Sequence, residues 1–349
     1  IIPISKMSSL IKYKVGIAGF GATGKRRFNV LMEHPSVEVV AVCEKDLKAI
    51  TNLNPKINSF DNYKELLKQP LDIVFVCLPN YLAPDVTIES LERGCHVFCE
   101  KPPGRNVNDV DKVIKVENKN KSLKLMYGFN HRYHYSVRDA IKIVKSKEFG
   151  KVISLRGLYG KSKLLNFATD WRTNRKYSGG GILLDQGIHM VDLIRLFGGD
   201  FNQITSFISN NHWKHDVEDN ALAIMRSKEG VIASLHSTAT EWRHRFRLEI
   251  GLEKGSINLS GILSSTKSYG AEKITVAYAA DDDMGDPIEK TTNYNKDNSW
   301  KDEIYDFISS IEKNKKVIYG SSNEAKKTME LVFKIYKADK SWSKNFNIK

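Results

Sequence analysis

The chain has 349 residues, 41% apolar and 27% charged, with 23 Gly, 9 Pro and a formal net charge of +13. At about 100–200 residues per domain this length points to two domains, and the composition excludes a disordered, collagen-like or fibrous protein. No apolar run approaches the ~20 residues of a membrane-spanning helix, and the positive charge is mostly lysine spread along the chain, not a basic block; neither a membrane nor a nucleic acid is an expected partner.

Ile1–Lys6 lacks the charged-then-apolar layout of a signal peptide, and Met7 reads as the native start. From Tyr13 onward, short apolar runs alternate with helical patterns. Strands are expected at Tyr13–Ala18, Val37–Cys43, Leu71–Leu78, His96–Cys99 and Leu123–Tyr127, and helices at Ala22–Glu33, Pro84–Arg93 and Val107–Glu117. Such alternation calls for right-handed crossovers and a doubly wound parallel sheet covered on both faces. Cys43, Cys77, Cys95 and Cys99 all fall in or beside these runs. Cys95 and Cys99 lie roughly 13 Å apart along one strand, too far to pair, so buried free thiols in a reducing cytoplasm are expected.

After Gly128 the texture changes. A helix fits His134–Lys147, then strand-like alternation marks Val152–Tyr159, Ile204–Ser209, Ala221–Met225, Val231–Ser237, Phe246–Ile250 and Ile274–Tyr278. One helix, Ile182–Phe197, interrupts them, Asp281–Asp283 marks a loop, and helices at Trp300–Glu312 and Asn323–Ser341 finish the chain. The expected fold is therefore α/β: a Rossmann domain over 7–130, then an α+β domain over 131–349 with an open, mostly antiparallel sheet. The last helices are placed to pack back on the first domain. His212 and His215 sit in a polar stretch without partner cysteines and are expected at the surface, and no metal site is expected. Arg243, Arg245 and Arg247 alternate, so they share one sheet face, most simply a solvated one.

Gly19-Phe20-Gly21-Ala22-Thr23-Gly24 is G-x-G-x-x-G, directly after a strand and opening a helix. The first glycine allows the tight turn, the second lets backbone approach a pyrophosphate at the helix N-terminus, and the third allows close helix–strand packing. Glu44 follows at the end of the second strand, where a carboxylate takes ribose hydroxyls. That favours NAD, since a carboxylate repels a 2′-phosphate; Lys25, Arg26 and Lys45 leave NADP as the alternative.

Two further blocks carry a resemblance. Cys77-Leu78-Pro79-Asn80 closes one strand and Cys99-Glu100-Lys101-Pro102-Pro103 the next; later come Trp171-Arg172 and Gly179-Gly180-Gly181-Ile182-Leu183-Leu184-Asp185-Gln186-Gly187-Ile188-His189-Met190-Val191-Asp192. With the glycine loop these resemble the glucose–fructose oxidoreductase, inositol dehydrogenase and rhizopine catabolism family, the Gfo/Idh/MocA oxidoreductases, from about Tyr13 to the last helix. The resemblance implies NAD or NADP, a sugar, cyclitol or sugar-nucleotide substrate, and a homodimer or homotetramer joined through the open sheet. It implies Lys101, Asp185 and His189 as catalytic residues and a cis peptide at Pro102. Together with the loop it implies cofactor contacts from Gly19, Phe20, Gly21, Ala22, Thr23, Gly24, Glu44, Leu78, Asn80, Glu100 and Lys101. Substrate contacts are expected from Arg132, Trp171, Arg172, Asp185 and His189. For Arg132 and Tyr133 hinge packing is an equal alternative, and for Arg172 a structural pair with Asp170 or Asp185.

Oxidising a secondary alcohol removes a hydride from carbon and a proton from oxygen. Asp185 and His189, four apart on a helix, project on one face, so Asp185 can orient the imidazole as it accepts the proton; Asp192 competes for that role. Lys101, at a strand's carboxyl end, can hydrogen-bond the alcohol oxygen. Which of Lys101 and His189 takes the proton is open at this level. The leading expectation is an NAD-dependent dehydrogenase. The same residues also serve a redox-neutral sugar elimination or hydrolysis, and a cofactor-bound regulator is the non-enzymatic alternative.

Overall fold

A computed structural model describes residues 12–50, 53–164, 170–264, 269–279 and 285–348; Met7 and the Asp281–Asp283 loop lie outside them. The first half is β1 (Tyr13–Ala18), α1 (Ala22–Met32), β2 (Val37–Cys43), β3 (Asn58–Phe60), α2 (Tyr63–Leu66), β4 (Ile73–Val76), α3 (Ala83–Glu92), β5 (His96–Cys99), α4 (Val107–Glu117) and β6 (Leu125–Tyr127). Its six strands pair in parallel in the order β3-β2-β1-β4-β5-β6, the doubly wound arrangement. Continuous burial of Ile73–Val76 follows from helices on both faces. The strand β3 and the helix α2 were not expected, because Asn58-Ser59-Phe60 has no apolar pattern and becomes a strand through its pairing to β2.

The second half is α5 (Tyr135–Ser146), β7 (Val152–Ser162), α6 (Arg175–Ser178), α7 (Ile188–Gly198), β8 (Phe201–Ser209), β9 (Asn220–Ser227), β10 (Ile232–Glu241), β11 (Arg245–Leu252), β12 (Gly255–Ser260), β13 (Glu272–Tyr278) and β14 (Ile288–Tyr294). These eight strands form one sheet, β14-β13-β12-β11-β7-β10-β9-β8, antiparallel except where β7 meets β10. Helices α5 and α7 cover one face, and alternating burial along β9 reflects it. The sequence pattern missed β12 and β14; β14 is an exposed edge strand with hardly an apolar residue, fixed by its ladder with β13.

The chain then returns. In α8 (Ser299–Glu312), Phe307 lies edge-on to Phe75 and Phe98 of the parallel sheet, at 6.0 and 5.6 Å. Helix α9 (Ser322–Ala338) packs on α4 and β8 and so touches both halves. Asp339 ends it by capping Trp342 N–H at 2.9 Å, which starts α10 (Lys340–Asn345) where one continuous helix was expected. All four cysteines are free; Cys43, Cys95 and Cys99 are buried and Cys77 half-buried.

Candidate active site

A cleft of about 1170 Å³ opens along the carboxyl edge of the parallel sheet, against the second half. Pockets for a single small ligand run to roughly 300–1,000 Å³, so this larger cleft has room for a dinucleotide and a second molecule. One end is the glycine loop. Gly19 has a φ of +93°, and a Cβ there would meet Cys77 O at 2.3 Å. A Cβ on Gly24 would meet Gly19 O at 2.0 Å, whereas one on Gly21 would meet nothing within 4 Å. The open side is therefore at Gly21, and α1 begins there without a side-chain cap. Its first-turn N–H groups are the anion site a pyrophosphate requires. Glu44 Oε2 accepts from Phe20 N–H at 2.9 Å, which ties the acidic residue to the loop.

Gly19, Gly21, Ala22, Thr23, Glu44, Leu78, Asn80, Glu100 and Lys101 line the cleft. Three of the expected cofactor residues act differently. The Phe20 ring is buried edge-on to Phe28 at 5.4 Å, leaving only its backbone to the loop. Gly24 is buried beneath the loop, where its missing side chain permits the packing. The Glu100 carboxylate is engaged by Arg27 Nε at 2.7 Å, and the buried Arg27 guanidinium also lies 2.8 Å from Glu303 of α8.

At the other end Lys101, Asp185 and His189 converge on the cleft. Lys101 precedes a cis Lys101–Pro102 peptide, and its Nζ donates to the Asp185 carbonyl at 2.6 Å. Asp185 does not orient His189. The expected continuous helix is a π-helical turn over Leu183–Gly187 followed by α7, so the four-residue spacing no longer stacks the two side chains. Glu218 explains the irregular start: its buried carboxylate accepts Gly181 N–H at 2.7 Å, Leu183 N–H at 3.0 Å and Tyr336 O–H at 2.6 Å. Nothing near Glu218 in the sequence marks it for this task. The alternative orienting partner, Asp192, is bound to Arg132 at 2.6 and 2.7 Å and to Thr328 at 3.2 Å. His189 Nδ1 is buried with no hydrogen-bond partner.

Arg132 is the clearest correction among the substrate residues. It is buried away from the cleft, paired with Asp192 and Glu324, while Tyr133 O–H donates to Asp306 at 2.6 Å. Asn130–Tyr133 is a 3₁₀ turn followed by extended His134; Asn130, His131 and His134 enter the cleft, and Arg132 and Tyr133 turn out of it. His131 stacks on His189 with ring centroids 3.8 Å apart and 14° between planes. His134 Nδ1 pairs with Glu272 at 2.8 Å. Burial, then the neighbouring histidine, then the Lys101 ammonium hold His189 well below the usual imidazole pKa; burial, His134 and Lys101 do the same for His131.

Trp171 and Arg172 line the mouth of the cleft. Arg172 pairs with Asp170 at 3.0 Å and lies over the Trp171 ring at 4.4 Å, so of its two structural alternatives the Asp170 pair is the one formed. Tyr159 and Tyr269, on β7 and ahead of β13, complete the wall and were not anticipated. His212 is exposed and His215 half-buried, and among the described residues no group of His, Cys, Asp or Glu is arranged to hold a metal.

Two family models match the chain: "Oxidoreductase family, NAD-binding Rossmann fold" over 13–129 and "GFO/IDH/MocA C-terminal domain" over 137–258. Levoglucosan dehydrogenase of Pseudarthrobacter phenanthrenivorans is 25% identical over 263 residues, 64% of this chain and 67% of that protein. Inositol 2-dehydrogenase of Salmonella typhimurium is 23% identical over 271 residues, 75% of this chain and 78% of that one. A solved levoglucosan dehydrogenase in complex with NADH superposes with a TM-score of 0.83 at 21% identity, covering 95% of this chain and 98% of that one, a likeness of fold.

Proposed function

The chain belongs to the GFO/IDH/MocA oxidoreductases, and from that membership we propose a mechanism: NAD-dependent hydride transfer at a secondary alcohol of a sugar or cyclitol. The observation that carries it is the single cleft joining an uncapped glycine-loop helix to Lys101, Asp185 and His189. The residues fit a dinucleotide: the open side of Gly21 and the free start of α1 suit the pyrophosphate, and Glu44 beside them suits the ribose hydroxyls. Bound NAD supplies the hydride acceptor.

The chain's own residues manage the oxygen and its proton. Neutral His189 accepts the proton from the substrate hydroxyl. Lys101 has three donors, one of them spent on the Asp185 carbonyl, and the others stabilise the developing alkoxide. The Asp185 carboxylate, beside Tyr159 and Tyr269, takes neighbouring substrate hydroxyls. Trp171 offers an apolar ring face at the mouth, suited to the C–H face of a sugar.

The division of labour follows: 7–130 holds cofactor, 131–349 holds substrate and joins copies of the chain. A homodimer or homotetramer is supported by the uncovered sheet face, and a cytoplasmic setting by four unpaired cysteines. The test is reduced-nicotinamide absorbance with NAD and a panel of levoglucosan, inositols, glucosides and sugar nucleotides. Turnover on a neutral polyol is expected. Substrate consumption with no net reduced cofactor, on a chain that holds its nicotinamide tightly, overturns the net-redox reading for the elimination or hydrolysis alternative.

A further inference from the structure

We propose that His131 is a positioning residue for His189: a string of hydrogen bonds reaching α8 locks it in one neutral tautomer, and its ring is the platform on which the His189 ring lies. This rests on the dehydrogenase reading above. His189 needs such a platform because neither carboxylate on its own helical segment orients it. Asp192 is taken by Arg132, Asp185 meets Lys101 through its carbonyl, and His189 Nδ1 has no partner. What fixes the ring is packing: His131 face to face, and Phe129 edge-on at 6.3 Å.

The direction of the string follows from its end. Asp297 offers only acceptors, so Ser299 Oγ donates to its Oδ1 at 2.6 Å. That hydroxyl oxygen then accepts from Asn130 Nδ2 at 3.1 Å. With its amide nitrogen used there, Asn130 presents Oδ1 to His131 Nδ1 at 3.3 Å, so the ring proton sits on Nδ1. Nε2 is left bare and accepts from Tyr159 O–H at 3.2 Å. Both ring nitrogens of His131 are thus engaged while the ring is uncharged; a proton on Nε2 would make Tyr159 the acceptor and turn its O–H to Tyr269, so the tautomer is set at Nδ1, by Asn130.

Charge around the pair acts in the same sense. The groups facing it are Lys101 and Arg27, both cationic, His134 held by Glu272, Asp185, and the hydroxyls of Tyr159 and Tyr269. Two stacked imidazoles beside Lys101 admit at most one added proton between them. Locking His131 as the neutral Nδ1–H form reserves that proton for His189, whose ring meets the substrate.

Histidine-¹⁵N-labelled full-length chain with NAD bound reads the tautomer without any substrate, through long-range ¹H–¹⁵N correlations. The ring whose signals are absent in His131→Phe is expected to be neutral and protonated at Nδ1, turning into a tautomer mixture in Ser299→Ala. That same ring found protonated at Nε2, or unchanged in Ser299→Ala, overturns the lock whatever the substrate proves to be. With a turned-over polyol, His131→Ala should lower kcat roughly tenfold or more, with KM and NAD affinity changed less than about threefold. His131→Phe keeps a planar platform, so it should lose less kcat. Wild-type kcat in His131→Ala, or a kcat in His131→Phe as low as that of His131→Ala, overturns the positioning role.

Discussion

His189 accepts a proton only while its ring is neutral, and its surroundings favour that form. Burial and the cationic Lys101 depress its pKa, so the acid limb of kcat/KM should lie below the ordinary imidazole range, with activity flat through neutral pH. A pH–rate profile with an acid limb at or above that range would remove His189 from the role. His189→Ala and Lys101→Ala should each lower turnover about a hundredfold or more, the scale for losing a general base or an oxyanion donor. NAD affinity, read by calorimetry, should survive in the His189 variant. Asp185→Asn should hurt less, since the tie to Lys101 uses the backbone carbonyl, which the substitution keeps. At the far end of the cleft, Glu44→Ala should weaken NAD and narrow its advantage over NADP; a calorimetric titration in which NADP binds wild type more tightly would reverse the cofactor assignment.

At the scale of elements, α1 and α8 are joined by Arg27, which faces Glu100 and Glu303 in full burial. One guanidinium neutralises one carboxylate, so the other keeps its proton: desolvation outweighs Arg27, and the Glu303 pKa is pushed up to about 8. The sign of the linkage is set by that direction. Below its unfolded pKa of 4.5, Glu303 is protonated in both states; from there to about 8 only the unfolded chain ionises, and stability from this group falls as pH rises. Glu303→Gln should remove that slope, on the order of 1 kcal/mol per pH unit, so the variant gains on wild type as thermal melts move from mildly acidic to mildly alkaline buffer. Arg27→Met leaves two buried carboxylates and should cost about 3–5 kcal/mol. The same two helices frame the glycine loop, so this variant should also weaken NAD.

Across the whole molecule, the eight-stranded sheet leaves one face uncovered. Phe207, Leu222, Ile224 and Ile232 on β8–β10 are 73, 44, 59 and 49% exposed. Phe207 pairs with Leu222, Ile224 follows two residues on along β9, and Ile232, opposite Arg226, lies diagonal to Ile224. Toward β11 the same sheet turns polar, where exposed Arg245 and Arg247 pair with Glu241 and Glu249. A patch of this kind is where association is expected. Light scattering should report a dimer or tetramer at micromolar protein, and Phe207→Asp with Ile224→Lys should shift it to monomer while leaving NAD binding intact. A wild-type monomer would refute the interface.

The glycine loop, the acidic residue after β2 and the strand–helix alternation were legible because each is local. A turn, a helix start and a period of two or 3.6 residues need only neighbouring residues to be defined. Lys101, Asp185 and His189 were legible through motif blocks, which name residues but not their contacts. The contacts were decided by tertiary structure. A π-helical turn pinned by Glu218, over thirty residues away in sequence, uncoupled Asp185 from His189. A 3₁₀ turn exchanged which of four adjacent residues face the cleft, sending Arg132 to Asp192 and bringing His131 under His189. The edge strand β14 and the return of α8 onto the first sheet depend on backbone pairing and on burial against distant partners. Sequence periodicity records which face a residue prefers; which partner meets that face is a long-range fact, fixed only when the chain has folded.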